Sequence, residues 1–265
     1  MLLSKLSIIL KSRVSGLFFI ILTMLKFISI CFLSITLVSC TSKQDADKII
    51  EESIRYSGNG KYNNAKITFD FRDKHYEVIR KKDSWKMSRL FIDKEQEIED
   101  IYTNNGFERL VNNNHFPVED SMAFKYIESI NSVFYFALLP YKLNDEAVIK
   151  EYLGEEEIEG HAYHKLRISF KKEGGGEDYQ DKYIYWFDTN DFSIDYLAYS
   201  FQVNDGGLRF RKAINERFVG GIRFVDYINY EPIEKNSPLE SLGHDLESNQ
   251  LQELSRINLE NITVE

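Results

Sequence analysis

Cysteine is almost absent from this chain, whose 265 residues include two, Cys31 and Cys40. Because no cysteine follows position 40, no disulfide can join two parts of the long C-terminal region. A hydrophobic core must therefore stabilise that region alone. The 19 phenylalanines and 16 tyrosines supply enough large side chains for such a core.

Positive charge is also scarce, since 33 lysines and arginines stand against 42 aspartates and glutamates, a formal net charge of −9. Nucleic acids and anionic lipid headgroups attract proteins through an excess of positive charge. The composition therefore argues against binding of either through bulk charge, and we expect no nucleic-acid partner.

Motifs of the common catalytic and cofactor sites are missing as well. There is no Gly-x-Ser-x-Gly nucleophile elbow, and the glycine run 174–176 lacks the Lys-Ser/Thr of a phosphate-binding loop. The acidic run 155–157 lacks the alternating oxygen ligands of a calcium loop. His161 and His164, three residues apart on a strand, point to opposite faces and cannot share a metal ion. We expect no enzyme activity, no metal and no cofactor.

A long apolar run opens the chain and ends at Leu37-Val38-Ser39-Cys40. An aliphatic residue, a short apolar one, a small one and a cysteine are typical of a bacterial lipobox. We interpret residues 1–39 as a lipoprotein signal peptide that is cleaved before Cys40. Lipidation of the Cys40 thiol and amino group then anchors the protein in a membrane of the bacterial cell envelope.

Three interpretations of this leader stay open. Residues 1–39 exceed the roughly 15–30 residues of a typical signal. A start at Met24 leaves a short positive segment, an apolar segment and the lipobox, so that the preceding residues belong to an over-extended gene model. Alternatively the long leader is genuine, or the run from Val14 to Ser39 is an uncleaved membrane anchor, since about 20 apolar residues span a bilayer. The cysteine in register favours the lipoprotein, and the absence of aspartate from Thr41-Ser42 favours the outer membrane.

The remainder divides into a short polar tether, residues 40–44, and a single domain, residues 45–265. Apolar residues recur at helical spacing near the start of the domain and over Glu119–Leu139, and alternate with polar residues nearly everywhere else. Asn104-Asn105-Gly106 between two alternating runs predicts a β-hairpin. The order helix, meander, helix, meander argues against a parallel sheet.

This order predicts an α+β fold dominated by strands. We expect one large curved antiparallel sheet, an open half-barrel, that carries its helices on the concave face and buries only that face.

The second helix is the first candidate for a ligand site. Tyr126, Ile130 and Phe134 follow one another at four-residue intervals on one face. The last turns, residues 133–139, are apolar on all sides. This end of the helix must therefore be deeply buried or contact a ligand, and Tyr126, Ile130 and Phe134 are predicted ligand contacts.

The strand Lys182–Asp188 is the second candidate because it is strongly aromatic. Alternation places Tyr183, Tyr185 and Phe187 on one face and the residues between them on the other. Both faces are then partly apolar, so either both are covered or one is a binding surface. Tyr183, Tyr185 and Phe187 complete the predicted set of ligand contacts.

Four segments resemble a family of uncharacterised bacterial lipoproteins with the half-barrel fold of the lipoprotein carriers of the LolA and LolB type. They are Leu139-Pro140-Tyr141-Lys142-Leu143, Gly160-His161-Ala162-Tyr163, the strand 181–188 and the segment 194–199. The resemblance implies a hydrophobic cavity between sheet and helices that accepts an acyl chain or another apolar ligand, and it implies no catalytic residues. The tail 237–265 has no counterpart in the plain carrier pattern.

Three functional hypotheses follow. The first is a non-enzymatic module that binds an apolar ligand or lipid in the half-barrel cavity. The second is a structural or protein-interaction surface lipoprotein whose core is filled by its own side chains. The third is a hydrolase built on carboxylates. An open apolar cavity favours the first, a packed core the second, and a cleft with two converging carboxylates, one of them desolvated, the third.

Overall fold

Strands dominate the fold, as the alternating sequence predicts. The computed structural model describes residues 46–173, 180–202, 206–234 and 236–265, and over these residues it has three α-helices and 14 strands. The helices are α1 (46–57), α2 (Asp120–Ala137) and α3 (Leu242–Glu247), with 3-10 helices at Lys61–Asn64 and Leu239–Ser241. The strands are β1 (Lys66–Phe71), β2 (Lys74–Lys81), β3 (Ser84–Asp93), β4 (Gln96–Thr103), β5 (Gly106–Val111), β6 (Asn114–Phe116), β7 (Val148–Ile158), β8 (His161–Phe170), β9 (Lys182–Asp188), β10 (Ile194–Phe201), β11 (Gly207–Val219), β12 (Ile222–Pro232), β13 (Leu251–Ile257) and β14 (Glu260–Val264).

The predicted class, an open antiparallel architecture of the α+β type, is confirmed, but the strands lie in two sheets. The first sheet has the order β14-β1-β2-β3-β4-β5-β6 and the second the order β13-β12-β11-β10-β9-β8-β7. By sequence alone, Leu254–Val264 is predicted to be one last strand, with Ile257 and Leu259 buried. That segment instead forms two strands, of which β13 pairs with β12 and β14 pairs with β1.

The bend between β13 and β14 explains why the chain passes from one sheet to the other. The backbone N–H of Leu259 donates to the Asp226 carboxylate at 2.9 Å, and its carbonyl accepts from the Arg217 guanidinium at 2.6 Å. Arg217 and Asp226 are themselves an ion pair. These side chains satisfy the backbone groups that a bend removes from the ladder, and Leu259 is buried in the core of the first sheet.

Helix α2 lies between the two sheets and contributes to both cores. Ile130, Phe134 and Leu138 are buried against the first sheet, whereas Tyr135 and Phe136 pack against the second. A helix with a sheet on each side needs apolar residues all round, which is the pattern that the sequence has here. Within the described residues, no helix is long and apolar enough to cross a bilayer.

The N-terminal half of α2 is less buried than its C-terminal half. Met122 is 37% exposed and Phe124 is 42% exposed, so burial begins further along the helix, at Ile130. This half contacts the far strands of the first sheet through Tyr126, whose ring meets that of Phe107. Periodicity identifies the apolar face of a helix but not the length of that face that a sheet covers.

The second sheet is buried on both faces, whereas the sequence predicted burial of the concave face alone. Tyr183, Tyr185 and Phe187 of β9 face α1 and α2. Trp186 faces the opposite side, where Leu239 and the other leucines of the segment 239–246 cover it. Both faces of β9 are therefore apolar because helices α1 and α2 cover one face and the segment 239–246 covers the other.

Candidate functional site

Two cavities flank the C-terminal half of α2. The first, which we name the α2–β12 cavity, has a volume of about 200 Å³ and is partly open. The second, the α2–β3 cavity, has a volume of about 380 Å³. The α2–β12 cavity is lined by Phe71, Arg72, Ser132, Val133, Phe136, Ala137, Arg211, Val225, Tyr227, Asn229, Ser255, Ile257 and Leu259. The α2–β3 cavity is lined by Arg80, Trp85, Met87, Tyr102, Asn131, Phe134, Tyr135, Leu138, Tyr141 and Lys142.

The predicted contacts on α2 occupy three different environments. Phe134 lines the α2–β3 cavity, and Ile130 is completely buried in the core of the first sheet. Tyr126 lies at the edge of that sheet, where its ring centre is 3.8 Å from the Arg109 guanidinium. Equal spacing along a helix thus places these side chains on one face but does not bring them to one site.

The predicted contacts on β9 are packed beneath α1 and α2. Tyr185 and Phe187 are completely buried and Tyr183 is 8% exposed. The Tyr185 and Tyr135 hydroxyls form a hydrogen bond of 2.7 Å, and burial raises the pKa of Tyr185 well above its ordinary value. None of the six predicted contacts, all within the described part of the chain, lines the α2–β12 cavity. Their role in ligand binding stays a prediction, and Cys40 and the leader lie outside the described residues.

Tyr126 covers a row of charged side chains that crosses the first sheet. Register places Arg89, Asp100 and Arg109 opposite one another on β3, β4 and β5. The completely buried Asp100 carboxylate accepts from Arg89 Nε at 2.8 Å and from Arg109 Nε and Nη2 at 2.6 and 2.9 Å. Burial lowers the pKa of Arg109, but the hydrogen bonds and charge of Asp100 outweigh it and the pKa is raised. The two cations of this row are therefore compensated by a carboxylate.

A second polar row crosses the second sheet, inside the α2–β12 cavity. Register places Arg211 opposite Asn229 and Asn229 opposite Ser255, on β11, β12 and β13. Directly opposed residues share a face of the sheet, and this face meets α2. Arg211 Nη2 donates to the Tyr199 hydroxyl at 3.0 Å, and the guanidinium lies 3.9 Å from the Phe136 ring centre. Asn229 Nδ2 donates to Ser255 Oγ at 3.2 Å.

Sequence reasoning missed this second row. The one indication in the sequence was the alternation of side chains along β11. It places Arg211 on the same side of the strand as Ala213, which packs in the core. This alternation indicates that the arginine points inward, but it does not predict which strands pair with β11. The neighbours Asn229 and Ser255 became visible only with the register.

A polar cleft on the other face of the second sheet bears on the hydrolase hypothesis. Asp195 lines it, and burial raises the pKa of this carboxyl above its ordinary value although Arg223 opposes the shift. Asp195 accepts from Ser193 Oγ at 3.0 Å and from Arg223 Nη2 at 3.3 Å, and Glu216 binds the same guanidinium. The two carboxylates are therefore joined through Arg223. Such pairing is typical of a structural ion network.

The two neighbouring histidines of β8 lie on different faces of the second sheet. His161 lines this cleft, whereas His164 stacks on Phe192 on the other face of β8, as the strand period requires. Among the described residues, no group of three or more His, Cys, Asp or Glu side chains is arranged to hold a metal ion.

Comparison with known proteins gives a family and several structural likenesses. The model of a family described as "Family of unknown function (DUF6503)" matches residues 26–259. No curated protein matches the chain in sequence.

Three solved structures illustrate the structural likenesses. A LolA superfamily protein from Nitrosomonas europaea is 10% identical, covers 82% of this chain and 92% of its own, and gives a TM-score of 0.45. A DUF1329 family protein from Desulfovibrio piger is 10% identical over the same shares, with a TM-score of 0.38. The lipoprotein LppX from Mycobacterium tuberculosis is 9% identical, covers 60% of this chain and 90% of its own, and gives a TM-score of 0.28. At these TM-scores the likenesses assign no function, which has to be inferred from the residues of this chain.

Proposed function

This chain belongs to DUF6503, a family of unknown function, and we propose that it is a non-enzymatic, lipid-anchored binding module of the bacterial cell envelope. In this proposal the α2–β12 cavity holds an apolar ligand. The lipobox that ends at Cys40 supports the anchor, and the Thr41-Ser42 dipeptide after it favours the outer membrane. The engagement of Asp195 and Glu216 with Arg223 supports a role without catalysis.

The α2–β12 cavity is the observation that carries the proposal. Its walls combine apolar side chains of α2, such as Val133 and Phe136, with Val225 and Ile257 of the second sheet and Leu259 beside the first. Protein interiors are normally close packed, so an apolar space where a helix meets two sheets is a favourable place for a ligand. A dry cavity of about 150 Å³ is known to hold benzene. The volume of about 200 Å³ is therefore room for a short apolar group or for part of an acyl chain.

A structural or protein-interaction role is the second candidate, because large apolar side chains are exposed near the free edge of the first sheet. Phe116 of β6 is 52% exposed, and Phe124 and Met122 of α2 are 42% and 37% exposed. Most of the six residues predicted to line a ligand site are also packed against the protein's own side chains. This candidate predicts a partner protein and no bound lipid.

Native mass spectrometry tests the proposal on the full chain expressed in a lipoprotein-processing bacterium and extracted in mild detergent. We expect the mass of residues 40–265 with three acyl chains, plus a non-covalently bound lipid. Ser132 lines the α2–β12 cavity but is exposed, so Ser132→Trp should obstruct the cavity without disturbing the core. That variant should lose most of the bound lipid. Ser121→Trp, an equal change at an exposed position at the start of α2, is the matched control and should keep it.

Two results would contradict the proposal in different ways. The acylated mass with no bound lipid in the wild type would reject the binding function and favour the interaction role. An intact, unacylated leader would reject the anchor.

A further inference from the structure

Arg211 is a buried cation whose charge no acidic side chain among the described residues compensates. Its exposure is 9%, and among the described residues no carboxylate lies within ion-pair distance of its guanidinium. Its contacts are the Tyr199 hydroxyl and the rings of Phe136, Tyr199 and Tyr227. A buried charge is costly unless it is paired. Contacts with aromatic rings offset part of this cost and leave the positive charge in place.

The row in the first sheet provides the comparison within the same protein. There Asp100 stands between Arg89 and Arg109 and binds both. In the second sheet the residue directly opposite Arg211 is Asn229, which is isosteric with aspartate but uncharged. The fold can thus place a carboxylate directly opposite a buried arginine, whereas the residue that it places opposite Arg211 is an uncharged asparagine.

Two buried polar atoms in this row have no hydrogen-bond partner within the part of the chain that the structure describes. They are Arg211 Nε, a donor, and Asn229 Oδ1, an acceptor. If the Asn229 amide turns over, Ser255 Oγ can donate to Oδ1, and Nδ2 is released as a second free donor. Two donors, one of them charged, at the polar end of an apolar cavity match one carboxylate with two acceptor oxygens.

These contacts define the class of ligand, and this inference rests on the proposed function. We infer that the α2–β12 cavity binds a single-chain fatty carboxylate, with its head on Arg211 and on the Asn229 amide that Ser255 orients, and its chain along the apolar walls. Of the described residues, no aspartate or glutamate lines the cavity, although the chain as a whole is acidic, and Arg72 at the rim adds a second positive charge. Chains longer than the cavity extend through its open side.

Three substitutions on the full chain test the role of charge. Asn229→Asp places an internal carboxylate opposite Arg211, and Arg211→Met removes the cation while keeping an unbranched apolar chain of similar length. Asn131→Asp makes the same chemical change as Asn229→Asp in the other cavity and is the matched control. Each protein is titrated with sodium decanoate, decan-1-ol or decyl phosphate and examined by native mass spectrometry from neutral dodecyl maltoside. Thermal unfolding of each variant separates lost binding from lost folding.

We expect the wild type and Asn131→Asp to bind decanoate at least tenfold more tightly than decan-1-ol. Asn229→Asp and Arg211→Met should weaken decanoate binding at least tenfold and leave decan-1-ol binding within about threefold. Asn229→Asp should also melt at the same or a higher temperature, since it supplies Arg211 with a partner, so its lost binding cannot be attributed to unfolding.

Other outcomes overturn the inference. If decanoate and decan-1-ol bind with equal affinity and Arg211→Met changes neither affinity, the cavity is an apolar site. Recognition of the carboxylate head group would then be rejected. Tighter binding of decyl phosphate than of decanoate would reject the carboxylate. Weaker decanoate binding in Asn131→Asp alone would assign the ligand to the α2–β3 cavity. Absence of binding by every probe would reject the proposed function together with the inference.

Discussion

Removal of the central carboxylate from the Arg89–Asp100–Arg109 row should strongly destabilise the protein. Asp100→Asn keeps the shape of the side chain but removes its charge and turns one acceptor into a donor. The wild-type carboxylate is completely buried and accepts three hydrogen bonds of 2.6 to 2.9 Å from the two guanidinium groups. In the variant, two nearly buried cations, with side chains 8% and 12% exposed, face each other without a counterion.

The magnitude follows from the burial of these groups. Breaking a buried ion pair by removing one partner typically costs about 3–5 kcal/mol, because a charge is left uncompensated. Arg89 also donates to Ser129 of α2 at 2.8 Å, so the loss should extend to the contact between helix and sheet. For a domain of about 150–250 residues, each kcal/mol lowers the melting temperature by about 2–4 °C. We therefore expect the melting temperature to fall by about 6–20 °C.

Urea and thermal unfolding of the full chain, followed by circular dichroism, measure this effect. Asp73→Asn is the matched control, because the Asp73 side chain is 69% exposed and its ion pair with Lys74 lies at the surface. It should unfold with the wild type. Addition of Arg109→Met to Asp100→Asn should restore part of the loss, since one of the two uncompensated cations is then gone. A loss below about 1 kcal/mol for Asp100→Asn would refute the reasoning that burial makes this carboxylate essential.

Three further predictions concern the second sheet. Tyr135→Phe should lower the free energy of unfolding in urea by about 1–3 kcal/mol, because it leaves the buried Tyr185 hydroxyl without its partner. The double variant Tyr135→Phe with Tyr185→Phe should be nearly as stable as the wild type. Additive losses from the two substitutions would contradict this. Gly243→Ala should cost about 1–3 kcal/mol, measured as a lower melting temperature, because the new methyl group would lie 3.1 Å from the Trp186 ring; an unchanged melting temperature would show that the site has room. Burial raises the pKa of Asp195, so the native state holds this proton more tightly than the unfolded state, and the contribution of Asp195 to stability falls as pH rises through the window above the ordinary aspartate pKa. Asn does not titrate, so the free energy of unfolding of Asp195→Asn minus that of the wild type should increase with pH across that window, and urea titrations that give a constant or decreasing difference would contradict the assignment.

Much of the fold could be predicted because its signals are local. The hairpin at Asn104-Asn105-Gly106 joins β4 and β5 as expected, since the turn residues themselves set the geometry. The expected helix over Glu119–Leu139 is α2, which spans Asp120–Ala137. Its all-round apolar end indicated either deep burial or contact with a ligand, and that end lies between the two sheets.

The errors arose where a segment depends on distant parts of the chain. One strand was expected over Leu254–Val264, but the bend at Leu259 depends on Arg217 and Asp226, which are far away in sequence. Burial of Trp186 depends on the leucines that follow position 238, because they cover that face of β9. Such contacts leave no trace in the spacing of nearby residues.

The candidate site shows the same division. Tyr126, Ile130 and Phe134 were selected because they share a helix face, yet they reach an ion row, a core and a cavity respectively. Arg211 and Asn229 lie on different strands and become neighbours only through the pairing of β11 with β12.

Residue type and short-range periodicity were enough to predict the antiparallel class of the fold, the position of α2 along the chain and a C-terminal region whose core has no disulfide within it. The packing of the complete chain was needed to show the division into two sheets, the covering of both faces of the second sheet and the meeting of Arg211, Asn229 and Ser255 beside an apolar cavity. Strand register and helix packing minimise the free energy of the whole chain and not that of any one segment. Residues far apart in sequence therefore share one environment whose burial and charge no single segment specifies.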